Sequence, residues 1–252
     1  MKIEIWSDVV CPFCYIGKRK LERALEKFPY RDKVEVEWKS FQLNPDLQTN
    51  PSISTLEHLA QSKGWSMAQT HQITSNVVEM AKAEGLNFDF DKAVVANTKN
   101  AHQLIHLAKE FGKQDQIKES LLKAYFSEGK NVDDPDTLIE VGTASGLDPV
   151  VITAMLESNR YEIAVNQDIN ESKLLGVRGV PFFVIDRKFG ISGAQPDEIF
   201  DQTLEKAWIE FAKNNPVLDI ASGTEGESCD VDGNCICLLY TSPSPRDRQK
   251  YR

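Results

Sequence analysis

The sequence predicts an α/β domain whose chain is interrupted by a long, all-helical insertion. Three observations carry this: strand-type segments near both ends of the first 200 or so residues, a Cys11-Pro12-Phe13-Cys14 motif where the first strand meets a helix, and helical periodicity from Ser54 to Leu175 between them.

Taken in order, residues 2–7 alternate apolar and polar and end at Ser7-Asp8, the pattern of a strand. Pro12 then opens a helical stripe of Ile16, Leu21, Ala24, Leu25 and Phe28, standing early enough that its missing N–H is harmless. Val34, Val36 and Trp38 alternate with Glu35, Glu37 and Lys39 as a second strand. The insertion begins with capping signatures at Ser54 to Glu57 and at Ser66 to Gln69. Asp134-Pro135 and Asp148-Pro149 are further helix starts, and Gly85, Gly112 and Gly129 mark helix ends. Ile73, Val77, Met80 and Ala81 share one helix face, and Ile117, Leu121, Ala124 and Tyr125 another; both are expected in the core. Strand character returns at residues 180–185 and 189–193, followed by an amphipathic helix from Pro196 to Asn214. The expected organisation is one α/β domain from 1–45 plus 176–215, an inserted helical subdomain over 46–175, and a flexible Cys-containing tail over 216–236.

Residues 237–252 resemble the conceptual translation of a sequencing-library adapter and are set aside as non-native. They hold four basic residues and one acidic one, so without them the net charge moves from −9 to −12. That acidity disfavours binding to phosphate backbones, which excludes nucleic acid as the expected partner. No apolar run reaches the roughly 20 residues of a spanning helix, and Met1-Lys2 leads straight into a strand without a signal-type segment. A cytoplasmic protein without membrane contact is expected.

Five cysteines in such a chain are too few for a disulfide scaffold, so reactive or metal-binding roles come forward. A CxxC at a strand–helix junction places the first sulfur near unpaired helix N–H groups, which favour negative charge. Cys11 is therefore expected to be the exposed, activated nucleophile and Cys14, one turn on, the thiol that resolves a mixed disulfide. A zinc site needs more ligands than the sequence offers beside this motif, so no metal is expected. His102 and His106 share a helix face but lack the Glu of a metalloprotease motif, and they, His58 and His71 are given no role. Trp6, Trp38, Phe182 and Phe183 are read as core aromatics. Asp230-Val231-Asp232-Gly233 begins like a calcium loop but lacks its closing Glu.

Ser7-Asp8-Val9-Val10-Cys11-Pro12-Phe13-Cys14, the helical insertion, Gly179-Val180-Pro181-Phe182-Phe183 and Ile191-Ser192-Gly193-Ala194-Gln195-Pro196 together resemble the FrnE-like branch of the DsbA family. The resemblance covers residues 1 to about 215. It implies a thioredoxin-like fold with an inserted helical domain, dithiol–disulfide exchange, and thiol- or disulfide-containing proteins or small molecules as substrates. It places Val180-Pro181 beside the CxxC as a cis peptide, with the Val180 backbone exposed to bind substrate main chain. No cofactor is implied, and glutathione enters only as a candidate redox partner. Kappa-class glutathione transferases and 2-hydroxychromene-2-carboxylate isomerases are similar in layout but carry serine where Cys11 stands. Glutathione-dependent transferase or isomerase chemistry is therefore the alternative, with Cys14 the discriminating residue. FrnE-like proteins also carry a C-terminal cysteine pair, which makes Cys229 and Cys235 candidate auxiliary redox residues; the intervening Val231-Asp232-Gly233 suits a tight hairpin setting the two opposite each other.

Overall fold

β1 (Lys2–Ser7) is the strand on which the site is built, and it is buried along almost its whole length. In the computed structural model, which describes residues 1–215 and the short strands Ser228–Cys229 and Cys235–Ile236, β1 lies inside a four-stranded sheet of order β2-β1-β5-β6. β2 (Glu35–Ser40) runs parallel to β1, with Ile5 beside Trp38. A parallel neighbour requires a crossover, and α1 (Pro12–Lys27) supplies it. β5 (Phe182–Ile185) runs antiparallel on the other side, with Ile5 beside Phe183, and β6 (Phe189–Ser192) closes the sheet.

Alternation in β1 suggests one wet face, yet the strand is central and covered on both. Ile3 and Ile5 enter the apolar core, while Glu4, only 3% exposed, is neutralised by Arg187 and Lys39. Trp6 is fully buried and donates its indole N–H to the Asp168 carbonyl at 2.9 Å. Charges under a covered sheet face are tolerable only when paired in this way.

The insertion consists of α2 (Thr55–Lys63), α3 (Met67–Ala83), α4 (Lys99–Glu110), α5 (Gln114–Phe126), α6 (Pro135–Ala144), α7 (Pro149–Ser158) and α8 (Glu162–Leu174). It also holds a short antiparallel pair, β3 (Asn50–Ser54) with β4 (Val94–Val95), which periodicity does not reveal because β4 is only two residues long. Both capping boxes form, and Asp134 and Asp148 cap α6 and α7 through their carboxylates. α4 is the hub: Ala101, Leu104, Leu107 and Ala108 are fully buried, and one hydrophobic core runs from the sheet through α4 and α5. Ile117, Leu121, Ala124 and Tyr125 are core residues as expected. Of the apolar set on α3, Val77 and Ala81 are buried while Ile73 and Met80 are exposed, because the stripe is wider than the surface that covers it.

α9 (Asp197–Asn214) packs beside α1, where Arg23 bridges Asp197 at 2.6 Å and Glu84 at 2.8 Å. Residues Met1–Asn214 form one compact unit. β7 (Ser228–Cys229) and β8 (Cys235–Ile236) pair antiparallel with Cys229 opposite Cys235. The rest of the expected tail over 216–236, and residues 237–252, lie outside the described residues.

Candidate active site

Cys11 occupies the N-cap of α1, with extended backbone angles and with Pro12 at the first helical position. Its amide donates to the Asp8 carbonyl at 3.4 Å, and its own carbonyl accepts the Cys14 amide at 3.0 Å. This turn holds the two sulfurs together on one side of the helix start. Both thiols are free and both are buried, Cys11 at 4% and Cys14 at 1% exposure.

The Cys11 thiol makes no capping bond to the helix amides; it donates instead to the Val180 carbonyl at 3.5 Å. Val180-Pro181 is a cis peptide, and the Pro181 carbonyl is fixed by the Gly193 amide at 2.8 Å. The approach of α1 to this loop depends on Gly17. A Cβ there would stand 3.0 Å from the Pro181 ring and 3.1 Å from the Phe183 ring, tighter than packed side chains normally tolerate. Glycine inside a helix disfavours the helix by about 1 kcal/mol relative to alanine. Here it lets the two halves of the site meet.

Beneath the sulfurs lies a polar cluster. Asp8, just past β1, accepts the Val9 amide at 2.8 Å on one oxygen and the Leu43 amide at 2.8 Å on the other, and faces His102 Nε2 at 3.3 Å. Burial alone would raise this carboxyl, but His102 and the amides hold it below its ordinary range. Burial pushes the His102 imidazole down against the pull of Asp8, so the ring is neutral; its Nδ1 is buried without a partner.

Lys118 from α5 is 1% exposed and donates to the Ser7 carbonyl at 3.4 Å. No carboxylate among the described residues lies within salt-bridge distance of it. Burial draws its ammonium down to about 8, against the opposing pull of Cys14, Asp8 and Cys11 in that order. The cation thus finds its main counter-charge on the dithiol. The Cys14 thiol is driven up by burial but held lower overall by Cys11, Lys118 and the Ser7 hydroxyl, whereas Cys11 is pushed well up by Cys14 and by burial.

This corrects the expectation of an exposed Cys11 thiolate stabilised by the helix. The Cys14 amide pulls the N-cap sulfur down, but the Cys14 thiol and burial outweigh it, and the buried Lys118 acts on Cys14. The dithiol titrates as a pair, with the Cys14 thiol drawn down and the Cys11 thiol pushed up.

Cys11 nevertheless remains the sulfur within reach. It lines a cavity of about 580 Å³ together with Phe13 and Val180, and Cys14 is not part of the lining. The far walls come from α2, α3 and the loop around Leu43 and Leu47.

Residues 2–205 match the DSBA-like thioredoxin domain. The chain belongs to the DsbA-like thioredoxin family. A crystal structure described as a probable DsbA oxidoreductase from Streptomyces coelicolor is 36% identical, with a TM-score of 0.78 over 94% of this chain and 99% of that one. Bacillus subtilis YwbO is 27% identical over 204 residues, 80% of this chain and 94% of its own. Two more distant structures share the DsbA-like fold. Pseudomonas aeruginosa DsbM, described as a cytosolic disulfide reductase and solved with GSH, is 18% identical, with a TM-score of 0.59 over 83% of this chain and all of its own. A 2-hydroxychromene-2-carboxylate isomerase is 14% identical, with a TM-score of 0.59 over 85% of this chain and 98% of its own.

Of the residues read from the sequence, the fold brings Cys11, Cys14, Val180 and Pro181 to one place. Cys229 and Cys235 lie opposite each other in the β7–β8 pair. The sequence reading passed over Asp8, Gly17, His102 and Lys118. For Lys118 a signal existed: it stands among Ile117, Leu121, Leu122 and Tyr125 on the buried face of α5, where a lysine is out of place. His102 and His106 do not act together, since His106 instead joins Asp168 at 3.1 Å and Ser40 at 3.1 Å.

Proposed function

We propose that this protein is a thiol–disulfide oxidoreductase that works through Cys11 and Cys14. The observation that carries the reading is the position of the Cys11 sulfur, 3.5 Å from the Val180 carbonyl and open to the cavity, with Cys14 behind it. In the reduced protein the Cys14 thiolate takes the Cys11 proton as Cys11 attacks a disulfide R–S–S–R. A Cys11–S–S–R bond forms, and the R–S⁻ released takes that proton from Cys14. Cys14, again a thiolate, then attacks the Cys11 sulfur, closing the Cys11–Cys14 disulfide and expelling the second R–S⁻. The substrate gains two electrons and the dithiol loses two; the reverse sequence oxidises substrate thiols.

The reaction needs no bound cofactor, and glutathione is a candidate redox partner. Val180 and Pro181 form the substrate-binding edge in this reading. The cytoplasm is the proposed compartment, in keeping with the description of DsbM as cytosolic. Cys229 and Cys235, opposed across the β7–β8 pair, are proposed as an auxiliary redox pair that exchanges electrons with the Cys11–Cys14 dithiol.

The test is to trap the intermediate. Cys14→Ser should accumulate a Cys11 mixed disulfide with substrate, and Cys11→Ser should form none. A protein that turns over normally with Cys14→Ser would instead support glutathione-dependent transferase or isomerase chemistry. If removing residues 216–252 alters neither turnover nor reoxidation, the auxiliary pair has no redox role.

A further inference from the structure

The cavity that opens on Cys11 has a chemistry of its own. At about 580 Å³ it is large enough for a small organic ligand. Apolar side chains such as Leu59, Trp65, Ile73 and Val77 dominate its wall.

Several of the polar groups in that wall are already occupied. Thr55 donates to the Ala93 carbonyl at 2.6 Å, Thr74 to Thr70 at 2.9 Å and Ser62 to Leu59 at 3.3 Å. Both Asp8 oxygens accept backbone amides. The only lysine or arginine in the lining is Lys63, at the end of α2. Glutathione carries two carboxylates and an ammonium, and this wall offers them little.

Large apolar side chains are also left in water around the opening: Leu43 is 52%, Phe13 39% and Ile73 37% exposed. Apolar surface concentrated at one opening marks a binding site rather than ordinary surface.

Resting on the reading of Cys11 as the sulfur that exchanges disulfides, we propose that this cavity holds the uncharged, apolar arm of a low-molecular-weight disulfide. Its substrates are then aliphatic or aromatic small-molecule disulfides, and the corresponding thiols in reverse. A chamber walled by the insertion on one side and by the Cys11 turn on the other suits such an arm better than a disulfide fixed on a protein surface. Cys11 attacks the sulfur that bears the buried arm, so that arm stays in the cavity as the mixed disulfide while the other leaves as a thiol. Cys14 then releases it, giving two thiols and the oxidised Cys11–Cys14 pair.

The experiment is a single-turnover oxidation of the reduced full chain by diethyl and by dibutyl disulfide, which differ little in intrinsic reactivity. Each buried methylene is worth about fourfold. The dibutyl rate constant should therefore exceed the diethyl one by about tenfold or more, while free dithiothreitol shows a ratio near one. Ile73→Asp and, separately, Leu43→Asp, both at exposed positions, should bring the protein's ratio down toward one. Glutathione disulfide, normalised to its rate with dithiothreitol, should be slower than dibutyl disulfide.

Oxidation by all of these with a flat ratio overturns this proposal and leaves the oxidoreductase reading standing. A higher normalised rate with insulin than with dibutyl disulfide overturns it in favour of protein substrates. Failure of every disulfide to oxidise the dithiol overturns the underlying reading itself.

Discussion

Lys118 reaches the Ser7 carbonyl at 3.4 Å from a fully buried position, and the charge that pulls on it most strongly is that of Cys14. A buried cation with no carboxylate in salt-bridge range among the described residues favours the state of the protein that brings a negative charge to it, which is the reduced, ionised dithiol. Lys118→Met, which keeps the length of the side chain, is expected to raise the first thiol pKa. It should also make the reduction potential more negative by about 30 mV, the equivalent of roughly 1.4 kcal/mol for two electrons. Thiolate absorbance against pH and equilibration with a dithiol buffer measure the two quantities. An unchanged titration would remove Lys118 from the site's electrostatics.

The same lysine gives the oxidised protein a signature in stability. Its folded-state pKa, about 8 beside the free dithiol, lies below the ordinary 10.5 of an unfolded chain, and the disulfide, which removes the upward pull of Cys14 and Cys11, takes it lower still. Between those values the unfolded state binds more protons, so the contribution of Lys118 to stability rises with pH across that window. Below it the parent carries the full burden of a buried charge. Oxidised Lys118→Met should therefore be the more stable protein in urea at pH 7, with its advantage shrinking by pH 9.5. A constant difference at both values would contradict this.

Asp8→Asn leaves at least one of the Val9 and Leu43 amides facing an amide N–H rather than an acceptor. A loss of about 1–3 kcal/mol is expected at neutral pH. Asp8 has a depressed pKa in the folded state, so its contribution is present above the unfolded value near 3.8 and is lost as pH falls through the lower, folded value. The gap between parent and variant should thus narrow in acid. Asp8 also raises Cys11, so the Cys11 thiol of the variant should ionise more readily.

Gly17→Ala sets a gain in helix propensity of about 1 kcal/mol against overpacking of about 1–3 kcal/mol. The neighbours are the Pro181 ring and Phe183, which is itself held edge-on by Phe200 at 5.0 Å, so little can yield. A net loss of stability is expected, together with slower disulfide exchange as α1 is forced away from Val180. Thermal unfolding and exchange rates check it; a stabilised, fully active variant would show that the contact relaxes freely.

Much of this molecule was legible before any coordinates. Alternation located β1 and β2, the Ser and Asp caps located α2, α3, α6 and α7, and the CxxC and Val180-Pro181 lay where they finally meet. These features are local, or follow from a resemblance carried by short motifs. Asp8 with His102, and Lys118 with Ser7, are partnerships across 94 and 111 residues, and no periodicity encodes them. Gly17 likewise reads as a mere weakness in a helix until Pro181 is placed beside it. The burial of both sulfurs escaped notice for the same reason: a motif specifies the turn that holds them but not what covers it.

The bond from Cys11 to Val180 spans 169 positions, and Lys118 lies between its ends. A ribosome adding about 5–20 residues per second makes the dithiol about 10–30 s before the loop that will face it. Through that interval Cys11 and Cys14 have neither their neighbouring carbonyl nor, at first, their buried cation, and behave as ordinary peptide thiols. Their matched pair of ionisations is thus acquired late, when the last strands join β1. A growing chain therefore emerges with two ordinary thiols, and their split ionisation arises only with completion of the sheet.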